Sequence, residues 1–146
     1  MAEIREEYFP FQDETETVIY FAYEVHNSLG PGFLEIVYKD ALTLEFEENA
    51  ICYEREKEFT LKYKEVVLNR RFNADFVMFD SVIVEVKAKQ ALGNDDMAHL
   101  LNYLKCSGCE VGLLLNFGRR KLEIKRMVFS HGCTDPAHPW VYLWIF

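Results

Sequence analysis

The sequence lacks any apolar stretch of the length that a membrane-spanning helix needs, about 20 residues. It also lacks a basic segment followed by an apolar one near its beginning, MAEIREEYFP, so no secretory signal is expected. No repeat, low-complexity segment or internal linker is visible in the 146 residues. Four cysteines in a chain without a secretion signal indicate reduced thiols. These absences predict a cytoplasmic protein with no membrane association and a single domain over residues 1–146.

Basic residues are scarce, with 16 Lys and Arg against 24 Asp and Glu, and the formal net charge is −8. This balance argues against a surface that coats nucleic acid without specificity. The acidic excess lies in residues 1–50, which carry 12 acids and 2 bases, whereas residues 51–146 carry 12 acids and 14 bases. A local basic surface is compatible with this second part, for instance at GRRK, residues 118–121, although such clusters are more often ordinary solvated faces.

Half of the residues are hydrophobic and 15% are aromatic, which is enough to bury a sizeable core. Apolar residues recur at helical spacing in three segments, DETETVIYFAYEVHNSLG, GFLEIVYKDALTLEFEENA and NDDMAHLLNYLKCSG. Five further segments are typical of strands: CYEREKEFTLKYK, EVVLNRRFNADFVMF, VIVEVKAK, EVGLLLNFG and KLEIKRMVF. The resulting order, α-α-β-β-β-α-β-β, predicts an α/β protein in the form of an α+β sandwich around one sheet.

The last part of the chain, residues 130–146, reads as a loop followed by an apolar extension. The uncharged WVYLWIF predicts either an added strand or a homodimer contact, because an exposed segment of this kind promotes aggregation. Nearby, His131 and Cys133 could join the CxxC pair Cys106 and Cys109 in a zinc site. A single CxxC is weak support for zinc, so reduced thiols remain the favoured interpretation.

Two acids and a lysine lie inside the apolar segment ADFVMFDSVIVEVKAK. In its second strand Glu85 and Lys87 share the polar face, which by itself is the ordinary pattern of a half-exposed strand. A two-residue turn at Asp80-Ser81 would put Asp75 on the other face. A three-residue turn or a bulge would put Asp75 opposite Glu85. In that register two carboxylates meet and need a positive charge between them, for which Mg²⁺ is the natural candidate.

The spacing of Asp75 and Glu85-Val86-Lys87 resembles the PD-(D/E)xK nuclease motif, and GFLEIVY, residues 32–38, resembles the motif of the GxxExxY protein family within that superfamily. LLNYLK and GLLLNFG are similar to the helix and following strand of that family, so the likeness extends over residues 17–129. The resemblance implies a restriction-endonuclease-like core with a central mixed sheet flanked by helices. It also implies a metal-dependent nuclease that uses Mg²⁺ or Mn²⁺ and acts on DNA in preference to RNA.

Individual roles follow from the same resemblance. Asp75 and Glu85 would hold the metal together with the backbone carbonyl of Val86, and Glu35 would be an additional metal or water ligand. Lys87 would act on the attacking water.

Three further residues, Tyr38, His99 and Tyr103, would contact the substrate. In related branches the helix after the Glu-x-Lys strand carries Gln-x-x-x-Tyr, whereas this chain has HLLNY, with His99 in place of Gln. Histidine still hydrogen-bonds a phosphate, but it titrates near neutral pH.

Each of these residues also has an ordinary structural interpretation. Glu35 alone would be a solvated acid on an acidic helix, and His99 a polar side chain at a helix edge. The alternative function is therefore a non-catalytic module of the same fold that binds nucleic acid or a protein partner. The acidic surface, His99 and the small size favour this module, and the intact set of Asp75, Glu85 and Lys87 favours the nuclease.

Overall fold

The computed structural model describes residues 10–130 and 141–145, with side chains for residues 10–129. Two helices come first, and the remaining elements form one sheet with a crossover helix. In chain order they are α1 (Gln12–Leu29), α2 (Glu35–Glu48), β1 (Tyr53–Tyr63), β2 (Val66–Met78), β3 (Val82–Lys87), α3 (Asn94–Ser107), β4 (Val111–Asn116), β5 (Glu123–Ser130) and β6 (Val141–Ile145). The predicted fold class and order of elements are confirmed, with β6 added after β5.

The six strands lie in the sheet in chain order, β1-β2-β3-β4-β5-β6. Only the β3–β4 pair is parallel among the described strands, and the other neighbours are antiparallel, so the sheet is mixed as expected. α3 connects β3 to β4, because parallel neighbours need a crossover connection. The carboxyl ends of β3 and β4 consequently lie at the same edge of the sheet.

Helices cover both faces of the sheet. On one face α1 and α2 pack against a core that includes Phe76 and Val84, and on the other α3 packs against Ile83 and Leu114. Every residue of β4 is buried, which explains why its sequence is almost wholly apolar. None of the helices in the described ranges combines the length and apolar content of a membrane span.

The β2–β3 turn determines where Asp75 lies. Met78 pairs with Val82, which leaves three residues, 79–81, in the turn. Phe79 and Asp80 adopt positive φ angles of 54° and 55° there. Continuing the register by three pairs places Asp75 opposite Glu85, so the three-residue alternative is the one that the chain adopts.

The backbone of β6 pairs antiparallel with β5, which is the strand alternative expected for WVYLWIF. The side chains of Trp140 and Trp144 lie outside the described residues, so their burial and the homodimer contact stay predictions. Cys106 and Cys109 are free thiols, and the other two members of the weighed zinc site, His131 and Cys133, also lie outside the described residues.

Candidate active site

Two buried carboxylates are fixed beside each other on β2 and β3. The backbone N–H of Asp75 donates to Oε1 of Glu85 at 3.0 Å, and the backbone N–H of Val86 donates to Oδ2 of Asp75 at 2.8 Å. Asp75 is 7% exposed and Glu85 is 4% exposed. Each acid is therefore held in position by the backbone of the other acid's strand rather than by a flexible side-chain contact.

This proximity disfavours the ionised form of Glu85. Burial, and then the charge of Asp75, raise the pKa of Glu85 to about 9. Burial and then Asp75 also raise the pKa of Glu35 above its usual value, while Lys87 and Lys39 lower it in part. Glu35, the first residue of α2, is thus within electrostatic reach of Asp75, and its role as a metal or water ligand stays a prediction.

Lys39 is a member of this site that the sequence analysis did not identify. Its buried ammonium donates to Oδ1 of Asp75 at 2.8 Å and to Glu56 on β1. Burial acts to lower the pKa of Lys39, but the hydrogen bonds to Asp75 and Glu56 outweigh it and the pKa is raised. The available signal was its position four residues after Glu35, which places both side chains along one side of α2.

Glu56 is the second unpredicted member of the site. It lies between Arg55, which pairs with Phe76, and Lys57, which pairs with Ala74, so it stands across from Asp75. Its φ angle is 56°, which is unusual for a residue other than glycine inside a strand. Such strain costs about 1–3 kcal/mol and is concentrated at functional sites. Nothing in the local sequence marks this position.

Asp96, on α3, forms a long ion pair with Lys87. The Lys87 ammonium lies 4.0 Å from Oδ1 of Asp96, while Oδ2 accepts from Lys89 Nζ and from the Gly93 backbone N–H, each at 2.8 Å. Burial acts to raise the pKa of Asp96, but the hydrogen bonds from Lys89 and Gly93 and the nearby positive charges lower it. Asp96 therefore stays ionised and places a negative charge 4.0 Å from the Lys87 ammonium at the end of β3.

Two of the predicted substrate residues line one cavity of about 440 Å³. Its walls are basic and aromatic: Arg70, Arg71, Phe72, His99, Asn102 and Tyr103. Burial, followed by the charges of Glu85 and Asp75, raises the pKa of Tyr103 to about 12, so this cavity borders the acidic pair. His99 is exposed at its rim, and the two arginines were not predicted.

Tyr38 has a different environment from the one expected. Its side chain is fully buried, and the ring stacks on Phe117 at 4.7 Å. The hydroxyl donates to the carbonyl of Gly30 at 2.6 Å and accepts from the N–H of Phe33. Because every face of Tyr38 is engaged inside the protein, the structure offers no direct contact with a substrate. Its role here is to fix the turn that positions Glu35.

The expected convergence of Glu35, Asp75 and Glu85 on one point is met only in part. Within residues 10–130 and 141–145, no three Asp, Glu, His or Cys side chains form a group close enough to hold a metal ion. Both oxygens of Asp75 accept hydrogen bonds within the protein, one from Lys39 and one from the Val86 N–H. The donor chemistry still fits a hard divalent cation, because the buried donors are carboxylate oxygens. Burial, followed by the charge of Asp75, raises the pKa of Glu85, and a bound cation would offset both effects.

Known proteins are similar to this chain in two respects, one in sequence and one in structure. A sequence model of the PD-(D/E)XK nuclease superfamily matches residues 12–127. No curated protein matches. A solved structure named SSO0001 is 19% identical, with a TM-score of 0.48, over 62% of this chain and 47% of that one. The chain thus spans about half the length of that structure.

Proposed function

This chain belongs to the PD-(D/E)XK nuclease superfamily, and from that premise we propose that it hydrolyses phosphodiester bonds in nucleic acid, DNA in preference to RNA. The proposed catalytic residues are Asp75, Glu85, Lys87 and Glu35, with Mg²⁺ or Mn²⁺ as the cofactor. Within the superfamily we propose that the chain is a member of the GxxExxY family, on the basis of the motif at residues 32–38.

One observation carries the proposal: the three-residue turn places Asp75 opposite Glu85, with Lys87 two residues further along the same strand. An ordinary half-exposed strand would leave these side chains in water. Here the two acids are buried beside each other, and Lys87 is only 21% exposed at its side chain. Burial and the charge of Asp75 raise the pKa of Glu85 to about 9, and strongly perturbed carboxyl groups of this kind are concentrated at sites with a chemical task.

The residues divide the work of hydrolysis between them. Asp75, Glu85 and Glu35 would hold the cation, with the carbonyl of Val86 as a further ligand. When bound, the cation supplies a positive charge that polarises the phosphate and acidifies water. Lys87, whose ammonium lies 4.0 Å from Asp96, would orient the attacking water and offset the charge that develops on the phosphate. Lys39 keeps Asp75 in place through its hydrogen bond to Oδ1.

Substrate binding is assigned to the cavity that borders this group. Arg70 and Arg71 are suited to phosphate, because the guanidinium group forms paired hydrogen bonds with phosphate oxygens. His99 adds a further donor, and Tyr103, which meets Phe72 edge to face with ring centroids 6.2 Å apart, offers an aromatic surface for a base. The cavity is therefore suited to a nucleic-acid strand rather than to a small uncharged ligand.

The alternative, a binding module without catalysis, also has an observation in its favour. Lys39 already neutralises part of the charge of Asp75 through a bond inside the protein. If Lys39 stayed paired with Asp75 in place of a metal ion, the chain would bind nucleic acid at the basic cavity, and its acids would hold no metal.

Calorimetric titration with Mg²⁺ and Mn²⁺, followed by a cleavage assay on labelled DNA and RNA, separates the two functions. A nuclease binds the ion, loses that binding in Asp75→Ala, and cleaves at least one substrate. The matched control is Glu24→Ala, which removes an exposed acid on α1 and should leave the titration unchanged. Metal binding without cleavage of any single- or double-stranded substrate would favour the binding module.

A further inference from the structure

The turn between β4 and β5 forms a second basic cavity, at residues that the proposed function does not use. A space of about 700 Å³ is lined by Gln90, Gly118, Arg119, Arg120 and Lys121. Three of these five residues are cationic and consecutive, in a chain whose net charge is −8. The three cationic residues are exposed. A concentration of positive charge of this kind attracts a polyanion.

This turn is held rigidly, although it lies at the surface. The ring of buried His26 lies 2.7 Å from the carbonyl of Arg119, which anchors the turn to α1. The Asn116 side chain bonds both the N–H and the carbonyl of Lys89 at 3.0 Å, and accepts from the N–H of Gly118 at 3.1 Å. The cations are therefore presented from a fixed backbone, which lowers the entropic cost of binding.

Close packing reinforces this anchoring at Gly118. A Cβ atom at this position would lie 2.3 Å from the carbonyl oxygen of Lys89, so the turn approaches the chain after β3 more closely than any side chain permits. Glycine is required here by the contact between two backbones rather than by an unusual φ angle.

A backbone hydrogen bond joins the end of β3 at Lys87 to the segment that leads into the second cavity. The N–H of Phe117, the first residue after β4, donates to the carbonyl of Lys87 at 2.8 Å. Since β3 and β4 are parallel, Gln90 and the cations at 119–121 follow strand ends at one edge of the sheet, where open α/β sheets bind their ligands. Tyr103 in the first cavity lies within electrostatic reach of Glu85, two residues before Lys87 on β3, so both cavities are connected to the strand that carries the candidate site.

Two of the three cations are available to a ligand. Arg119 pairs with Glu123 at 3.5 Å. Arg120 and Lys121 form no ion pair with any residue in the part of the chain that the structure describes. Gln90 adds an amide that donates to phosphate oxygens.

We propose that Gln90, Arg120 and Lys121 form a second phosphate-binding site, which holds the backbone of the nucleic acid at the carboxyl edge of β3 and β4. The inference rests on the proposed function only in taking nucleic acid as the ligand, and it does not require that the chain cleaves. Each phosphate contact contributes to the salt dependence of binding, which gives the test a readout distinct from catalysis.

The test is a fluorescence-anisotropy titration of labelled duplex DNA in EDTA over a series of salt concentrations. The Arg120→Ala/Lys121→Ala variant should bind about tenfold or more weakly near 0.1 M salt, with a log–log salt slope reduced by about 1.8 for two lost contacts. Lys62→Ala/Lys64→Ala, which removes the same charge from the tip of the β1–β2 hairpin, should keep the wild-type slope. Arg120→Lys, which keeps the charge, should keep it as well.

Three outcomes would overturn the second site, and a fourth would separate it from the nuclease. An unchanged slope in Arg120→Ala/Lys121→Ala, with wild-type binding intact, overturns the second site. An equal loss in the hairpin control also overturns it, because the effect would then belong to net charge alone. A wild-type protein that binds no nucleic acid overturns it as well. Wild-type binding that depends on Arg120 and Lys121, but without cleavage under any divalent metal, supports the second site and refutes the nuclease.

Discussion

Replacing Glu85 by glutamine should stabilise the metal-free protein, although Glu85 is a proposed catalytic residue. The substitution keeps the shape of the side chain. A glutamine Oε1 can accept the same hydrogen bond from the Asp75 N–H, which is 3.0 Å long in the wild type. It removes a carboxylate that burial and Asp75 disfavour in its ionised form, with a pKa raised to about 9. The variant should therefore be more stable but inactive. Replacing a buried acid that has no catalytic role would raise stability without loss of cleavage.

The sign and size of this effect follow from proton linkage. The folded-state pKa of Glu85 lies above the ordinary value of 4.5, so its contribution to stability is fully present below pH 4.5 and is lost as pH rises towards about 9. Over that interval the wild type loses up to about 1.4 kcal/mol per pH unit relative to the variant. The advantage of Glu85→Gln should thus be small near pH 5 and reach about 3 kcal/mol at pH 7.

Urea unfolding in EDTA at several pH values between about 5 and 8 measures this difference as a change in the free energy of unfolding. Glu24→Gln, an exposed acid on α1, is the control and should show no pH-dependent difference. Added Mg²⁺ should stabilise the wild type and have little effect on Glu85→Gln, since binding to the folded state raises stability. A Glu85→Gln protein that is less stable than wild type at pH 7, or whose difference does not change with pH, would refute the reasoning.

Three further outcomes are expected at the site. Lys87→Ala should reduce DNA cleavage about a hundredfold or more in a gel assay, while calorimetric metal binding is retained. His99→Gln should keep or raise cleavage, because it restores the Gln-x-x-x-Tyr pattern of the related branches at residues 99–103. Lys39→Met should lower the free energy of unfolding by roughly 3 kcal/mol in urea, because it leaves buried Asp75 without its ion-pair partner. In an Asp75→Asn background, Lys39→Met should lower the free energy of unfolding much less, because no buried Asp75 carboxylate is then left unpaired.

The fold was predictable because its elements have strong and different periodicities. α1 and α3 carry apolar residues at helical spacing, and β4 is apolar throughout because both of its faces are covered. The crossover through α3 then makes the β3–β4 pair parallel. These features depend on local sequence and on simple connection rules, which is why the order of elements could be predicted without coordinates.

The register of Asp75 and Glu85 could be narrowed to two alternatives but not decided from the sequence. Asp80-Ser81 marks a turn without fixing its length. The longer turn is stabilised from outside the hairpin, where the N–H of Phe79 donates to the carbonyl of Cys52 at 3.0 Å and the Phe79 side chain packs on the core. A contact between residues so distant in the chain cannot be inferred from the turn itself.

The charge balance of the assembled site depends on the two residues that the sequence did not reveal. Motif reasoning identified Asp75, Glu85 and Glu35 as acids, with Lys87 as the cation, and each belongs to a short local pattern. Lys39 and Glu56 join them only because α2 packs against the start of β1, so no local pattern contains both.

With these two included, the group consists of four carboxylates and two ammonium groups, a net charge of −2 when all are ionised. A divalent cation compensates this charge in full, whereas a monovalent cation leaves a net negative charge on the site. A single proton on Glu85, the acid whose pKa is raised to about 9, leaves the same net negative charge as a monovalent cation does. The net charge of the site thus favours a divalent over a monovalent cation on electrostatic grounds that are independent of the spacing of the motif.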